Sequence, residues 1–105
     1  MIRFTVGLLL LFAFPVLGEA ESGSELFDHR CGLCHREGGP GTFMLERRLG
    51  EDFAILEERG ALSEAYIRQV VRWGVGSMPR FSRGEISDPE LALISDYLTQ
   101  PVDQD

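Results

Sequence analysis

The stretch Cys31–Pro40, CGLCHREGGP, decides how this chain is read. It places two thiols and an imidazole side by side, at Cys31, Cys34 and His35, and the remaining sequence holds no other cysteine. Four chemistries use such a set: a structural disulfide, a redox dithiol, a metal site and a covalently attached haem. A disulfide between Cys31 and Cys34 closes a very short loop, so it constrains the unfolded chain little. A thioredoxin-like dithiol follows a strand in a βαβ setting. Here Ser22-Gly-Ser-Glu25 reads instead as a capping box that opens a helix. Zinc would draw on His29, Cys31, Cys34 and His35, yet tetrahedral zinc sites ordinarily take their ligands from two separated pairs.

Haem accounts for the stretch best. Cys-x-x-Cys-His is the attachment pattern of haem c, with the thiols bonded to the two vinyl groups and the adjacent histidine on the iron. Residues three apart on a helix share a side, so Cys31 and Cys34 reach neighbouring edges of one flat ring while His35 falls beneath its face. Length supports the reading. At 105 residues the chain is one small domain, near the size where a protein core alone is marginal, and a large cofactor fills its middle.

The second axial ligand decides the chemistry, since a methionine thioether gives a closed electron carrier whereas an open site binds gas or peroxide. Met78, in Gly76-Ser-Met-Pro-Arg-Phe81, lies in a loop where Pro79 holds it extended. It is the expected ligand. Met44 suits core packing better, and His29 shares a helix with His35 and cannot reach the other ring face. Pro40 is placed to accept the free N–H of His35 through its carbonyl, because ligand imidazoles are usually oriented this way. Arg72, Trp73 and Tyr66 are candidates to hold the haem propionates, with helix surface for Arg72 and core for the aromatics as competing roles.

Charge and termini set the surroundings. Acids outnumber basic residues 17 to 10, every basic residue is arginine, and the net charge is −7. Nucleic acid, which needs a basic footprint, is excluded as a partner class, and no lysine exists for Schiff-base chemistry. Residues 1–20 carry one early charge, an apolar run from Phe4 to Leu17 and small residues at Gly18 and Ala20. This pattern predicts a signal peptide cleaved after Ala20. The run falls short of the roughly 20 apolar residues of a membrane span, so the mature protein is expected in the periplasm, unattached to a membrane. Residues 21–100 form the predicted domain, and 101–105 an acidic tail.

Along that domain a helix is expected from Ser22 to about His35, broken by the glycines of REGGPG. MLERRL and EDFAILEER read as short helical segments. SEAYIRQVVRWG presents a wide apolar face of Tyr66, Ile67, Val70, Val71 and Trp73. SDPELALISDYL repeats the capping box with Ser87 and Glu90. No segment alternates as a strand does. The fold class is all-α, about four short helices around one haem.

With these residues in place the chain resembles a small class I c-type cytochrome, through GSELFDHRCGLCH, the following Gly-Pro, GSMPRF and the closing helix ELALISDYL. The resemblance implies that the first and last helices cross at a small residue and an aromatic, places taken here by Gly23 and Phe27 with Ile94 and Tyr97. More narrowly, ALSEAYIRQVVRWGVGSMPRFSRGEISDPELALISDYL is similar to the cytochrome subunits of p-cresol methylhydroxylase-type flavocytochromes. That likeness implies one haem c held by Cys31 and Cys34, with His35 and Met78 on iron. It also implies single electrons received from an FAD-containing flavoprotein that oxidises a 4-alkylphenol and passed to a downstream redox carrier. The chain then performs no bond chemistry itself. A free periplasmic shuttle and, further off, a gas-binding haem protein are the alternatives. Arg80 and Arg83, with no acid between Gly74 and Gly84, offer either a docking ridge for an acidic partner or ordinary solvated charge.

Overall fold

A computed structural model describes residues 10–15, 18 and 20–101. The expected signal sequence lies largely outside these residues, as does the acidic tail beyond Pro101. Five helices follow one another: α1 Gly23–Arg30, α2 Gly32–His35, α3 Pro40–Leu49, α4 Glu64–Trp73 and α5 Asp88–Leu98. Two 3₁₀ turns, Glu51–Phe53 and Leu56–Glu58, lie between α3 and α4. Among the described residues strand pairing is limited to one isolated bridge, Val75 with Met78. The all-α expectation holds, with one short helix more than the four expected.

The two capping boxes form as read. The Ser22 hydroxyl accepts from the Glu25 N–H at 3.2 Å and the Glu25 carboxylate accepts from the Ser22 N–H at 3.1 Å. Ser87 and Glu90 do the same at the head of α5, at 3.2 and 3.0 Å. Each box satisfies two otherwise orphaned N–H groups, which fixes where both helices start. The helices then cross so closely that a Cβ on Gly23 would stand 2.3 Å from the Leu93 carbonyl oxygen. Phe27, fully buried, meets Tyr97 with ring centroids 5.8 Å apart. Ile94 is buried beside them. The crossing implied by the family resemblance is therefore present at the expected four residues.

Other expectations need correction. The first helix does not run unbroken to His35, because Cys31 takes φ −120° and ψ −24° and divides it into α1 and α2. Helix α3 starts earlier than MLERRL, since Pro40 occupies the first turn, where a missing N–H costs nothing. EDFAILEER forms the two 3₁₀ turns rather than a helix, with the backbone entering from Gly50 at φ 94°. The apolar face of α4 is narrower than its sequence pattern, for Ile67 and Val71 are buried while Tyr66 and Trp73 are exposed, Trp73 at 77 %. Leu26, Ile86, Leu91 and Leu98 complete the core between α1, α4 and α5. Burying each such side chain contributes about 1.5–3 kcal/mol.

Candidate functional site

Cys31, Cys34 and His35, neighbours in sequence, line one cavity of about 380 Å³ together with the distant Met78. That volume lies in the roughly 300–1,000 Å³ range of small-molecule and cofactor sites. Its walls are largely apolar, with Leu45, Val71, Val75, Phe81 and Ile86 among them.

The attachment side is held by close backbone approach. The loop after His35 folds back on Cys34, so a Cβ on Gly41 would meet the Cys34 carbonyl oxygen at 2.7 Å. The Thr42 hydroxyl donates to the Arg36 carbonyl at 2.8 Å and locks the return. Both cysteines are free thiols, so the chain makes no disulfide there. Burial pushes the Cys31 thiol up to about 11, with neighbouring Cys34 adding to the rise. Such a thiol is protonated and unlike the lowered, reactive thiols of redox dithiols. Burial holds the His35 imidazole below its ordinary value, hence neutral and able to donate a lone pair to a metal. His29 stands apart on the surface, 3.4 Å from Glu21. No group of three or more His, Cys, Asp or Glu side chains among the described residues is arranged to hold an ion, so the four-residue zinc set does not assemble.

Elsewhere on the cavity wall Met78 sits in a turn closed at both ends. The Met78 N–H donates to the Val75 carbonyl at 2.9 Å, and the Val75 N–H to the Met78 carbonyl at 3.1 Å. Gly76 takes φ 56° while Ser77 keeps a negative φ, the pattern of a type II′ turn with glycine at its first central position. Gly74, at φ 73°, also lies where a Cβ would come within 2.7 Å of the Met78 carbonyl oxygen. The turn is pinned to α4 by the Phe81 N–H donating to Val71 at 2.8 Å. Arg72 adds a second tie, donating to the carbonyls of Phe81 and Ile86 and to Asp88.

Three sequence expectations fail here. Arg72 is consumed by that tie, and neither it nor Trp73 nor Tyr66 lines the cavity. Met44 is no core residue; it is 44 % exposed and lines the cavity. The Pro40 carbonyl does not accept from His35, whose Nδ1 is buried without a partner. Pro40 heads α3, and a carbonyl there is directed along the helix axis toward residue i+4. Sequence reasoning also missed Arg30 and Arg48 on the cavity wall. A helix read from Pro40 would have put Gly41, Met44, Leu45 and Arg48 on one face at i, i+3, i+4 and i+7. Arg83 pairs with Asp88 at 2.9 Å, which leaves Arg80 alone of the suggested ridge without an ion pair among the described residues.

The donor set fits haem. Two free thiols stand one helical turn apart, a neutral imidazole adjoins them, and a thioether lines the same apolar cavity.

Comparison with known proteins agrees. The family model described as cytochrome c oxidase, cbb3-type, subunit III, matches residues 18–98. The chain is 38% identical over 79 residues to the 4-cresol dehydrogenase [hydroxylating] cytochrome c subunit of Pseudomonas putida, covering 74% of this chain and 58% of that protein. It thus spans little more than half the length of this curated relative. Among solved structures, a chain of p-cresol methylhydroxylase with substrate bound superimposes with a TM-score of 0.59 at 37% identity, over 77% of this chain and 95% of that one. A second p-cresol methylhydroxylase structure gives 0.57 at 38% identity, over 74% and 90%. The chain belongs to this family of c-type cytochromes, proteins that carry covalently attached haem c.

Proposed function

We propose that the chain is a monohaem electron carrier in which Cys31 and Cys34 form the thioether links and His35 and Met78 are the axial ligands. One observation carries the reading: residues 31, 34, 35 and 78 converge on a single apolar cavity. Bound there, haem supplies reversible one-electron chemistry at iron. The chain's own residues do the rest. Cys31 and Cys34 would hold the group covalently, and the neutral His35 would offer a nitrogen to its iron. The doubly hydrogen-bonded Val75–Met78 turn would hold the thioether ready as the second ligand to that iron. Apolar walls exclude water and keep the local dielectric low, which together with a methionine ligand raises the potential.

The partner reading draws on the relatives. The curated one is by name a subunit of a dehydrogenase that hydroxylates 4-cresol. By that likeness this chain accepts electrons from an FAD-containing flavoprotein of 4-alkylphenol type and hands them to a second redox carrier. It performs no bond chemistry of its own. Residues 1–20 support export to the periplasm as a signal peptide, 21–100 forming the domain. No helix of the described residues is long and apolar enough to cross a membrane.

Optical spectra of the haem-loaded protein test this, taken oxidised, reduced, and reduced under carbon monoxide. The methionine–iron charge-transfer band should be present, and carbon monoxide should leave the reduced spectrum unchanged. Met78→Ala should abolish the band and open the iron to carbon monoxide, while Met44→Ala keeps both properties of the parent. The reverse result would move the ligand to Met44. A parent that binds carbon monoxide at once would point to gas binding instead.

A further inference from the structure

We propose that Arg48 receives a carboxylate of the haem at the end of the cavity remote from the two cysteines. The inference rests on the haem seating proposed above.

Haem carries its vinyl groups on one half of the macrocycle and its two propionates on the other. Bonds from Cys31 and Cys34 therefore fix where the carboxylates go: across the ring from the attachment segment. Helix α3 spans that distance. It begins against the cysteines, with Gly41 packed on Cys34, and its cavity face continues through Met44 and Leu45 to Arg48. At 1.5 Å per residue, Arg48 lies about 10 Å along the axis from Gly41, on the scale of a porphyrin's width. Its Nη1 lies 3.7 Å from where a Cβ on Gly76 would stand, so the guanidinium closes the gap between α3 and the Met78 turn.

Charge points the same way. The chain carries a net charge of −7, yet no Asp or Glu is among the described residues lining the cavity. Beside the site's own Cys31, Cys34 and His35, its ionisable walls among the described residues are Arg30 and Arg48. Arg30 adjoins Cys31 on the attachment side and is paired with Glu90 at 3.2 Å. Arg48 has no ion pair among the described residues. Its neighbour Arg47 is occupied elsewhere, stacked over the Phe43 ring at 5.6 Å. An unpaired guanidinium facing an apolar cavity suits a carboxylate, which it binds through two parallel N–H donors.

The test is the reduction potential as a function of pH, measured on haem-loaded wild type, Arg48→Gln, Arg48→Lys and Arg30→Gln, with the methionine–iron band as the check on seating. A guanidinium beside a carboxylate lowers its pKa by about 1–3 units, and its positive charge disfavours the ferric state. Arg48→Gln should therefore raise the pH of the propionate inflection by about one unit or more and lower the potential at neutral pH, with the band intact. Arg48→Lys should recover most of the potential, and Arg30→Gln should change the curve little. Superimposable curves for wild type and Arg48→Gln, or an equal shift in Arg30→Gln, would overturn the assignment. A wild type without covalent haem or without the band would instead bring down the seating on which it rests.

Discussion

The crossing of α1 with α5 and the wall formed by α2, α3 and the Val75–Met78 turn differ in what completes them. The crossing closes on itself: Phe27, Ile94 and Ser95 are wholly buried, both helices are capped by their own residues, and Gly23 lets the backbones touch. The wall uses similar devices, with Gly41 against Cys34 and Gly74 against Met78, but these shape a cavity rather than fill one. Leu33 at 90 % exposure and Met44 at 44 % stand at its edge. One region is a core made by the chain. The other is a cavity-bearing wall, expected to depend for its stability on the group that fills it.

The largest effect should come from separating the two. A Cys31→Ala/Cys34→Ala variant cannot form thioether links and should carry no covalent haem, as a haem stain of the denatured protein would show. Amide exchange should then lose protection in α3 and residues 75–81 by about 3 kcal/mol or more, the scale of a ligand bound only to the native state. Helices α1 and α5 should remain the slowest to exchange. Equal protection in α3 and α5 without haem would break the comparison, because the wall would then stand unaided.

The converse change strikes the crossing. Gly23→Ala puts a methyl where the Leu93 carbonyl already sits, and backbone cannot give way as a flexible side chain can. Overpacking of this kind costs about 1–3 kcal/mol. Denaturant midpoints should fall accordingly, while the methionine–iron band of the folded protein stays as in the parent. A band lost together with stability would mean that the wall depends on the crossing for its shape.

The same division explains what could be read from sequence. Capping residues act within four positions of one another, so Ser22 with Glu25 and Ser87 with Glu90 were legible at once, as was the spacing of Cys31, Cys34 and His35. The place of Met78 on the cavity wall was legible because Pro79 limits the backbone next to it. Residues set by tertiary placement were not. Arg72 looked available for a propionate, but the carbonyls of Phe81 and Ile86, 9 and 14 residues on, claim it. Trp73 and Tyr66 fit a helical apolar stripe, yet only the Ile67–Val71 side of α4 meets the core. Met44 and Arg48 were hidden by a boundary error: with α3 started at MLERRL rather than Pro40, its cavity face lost its beginning.

The smallest effect lies where the two regions join. Asp88 opens α5, and its carboxylate accepts from Arg83 at 2.9 Å and from Arg72, the residue that ties the Met78 loop to α4, at 2.8 Å. Those hydrogen bonds, the Arg83 one foremost, hold Asp88 below the ordinary aspartate value. A carboxyl depressed in the folded state contributes stability that is present above its unfolded pKa and is lost as pH falls through the folded one. The loss should therefore begin below about pH 4, the unperturbed aspartate value. Because the tie serves the Met78 loop and not the α1–α5 crossing, the methionine–iron band should fade at a higher pH than the helical circular dichroism. Asp88→Asn should bring the two acid transitions closer together and weaken the band slightly at neutral pH. Coincident transitions in the parent would show that acid unfolds both regions as one, with Asp88 no more than an exposed partner to two arginines.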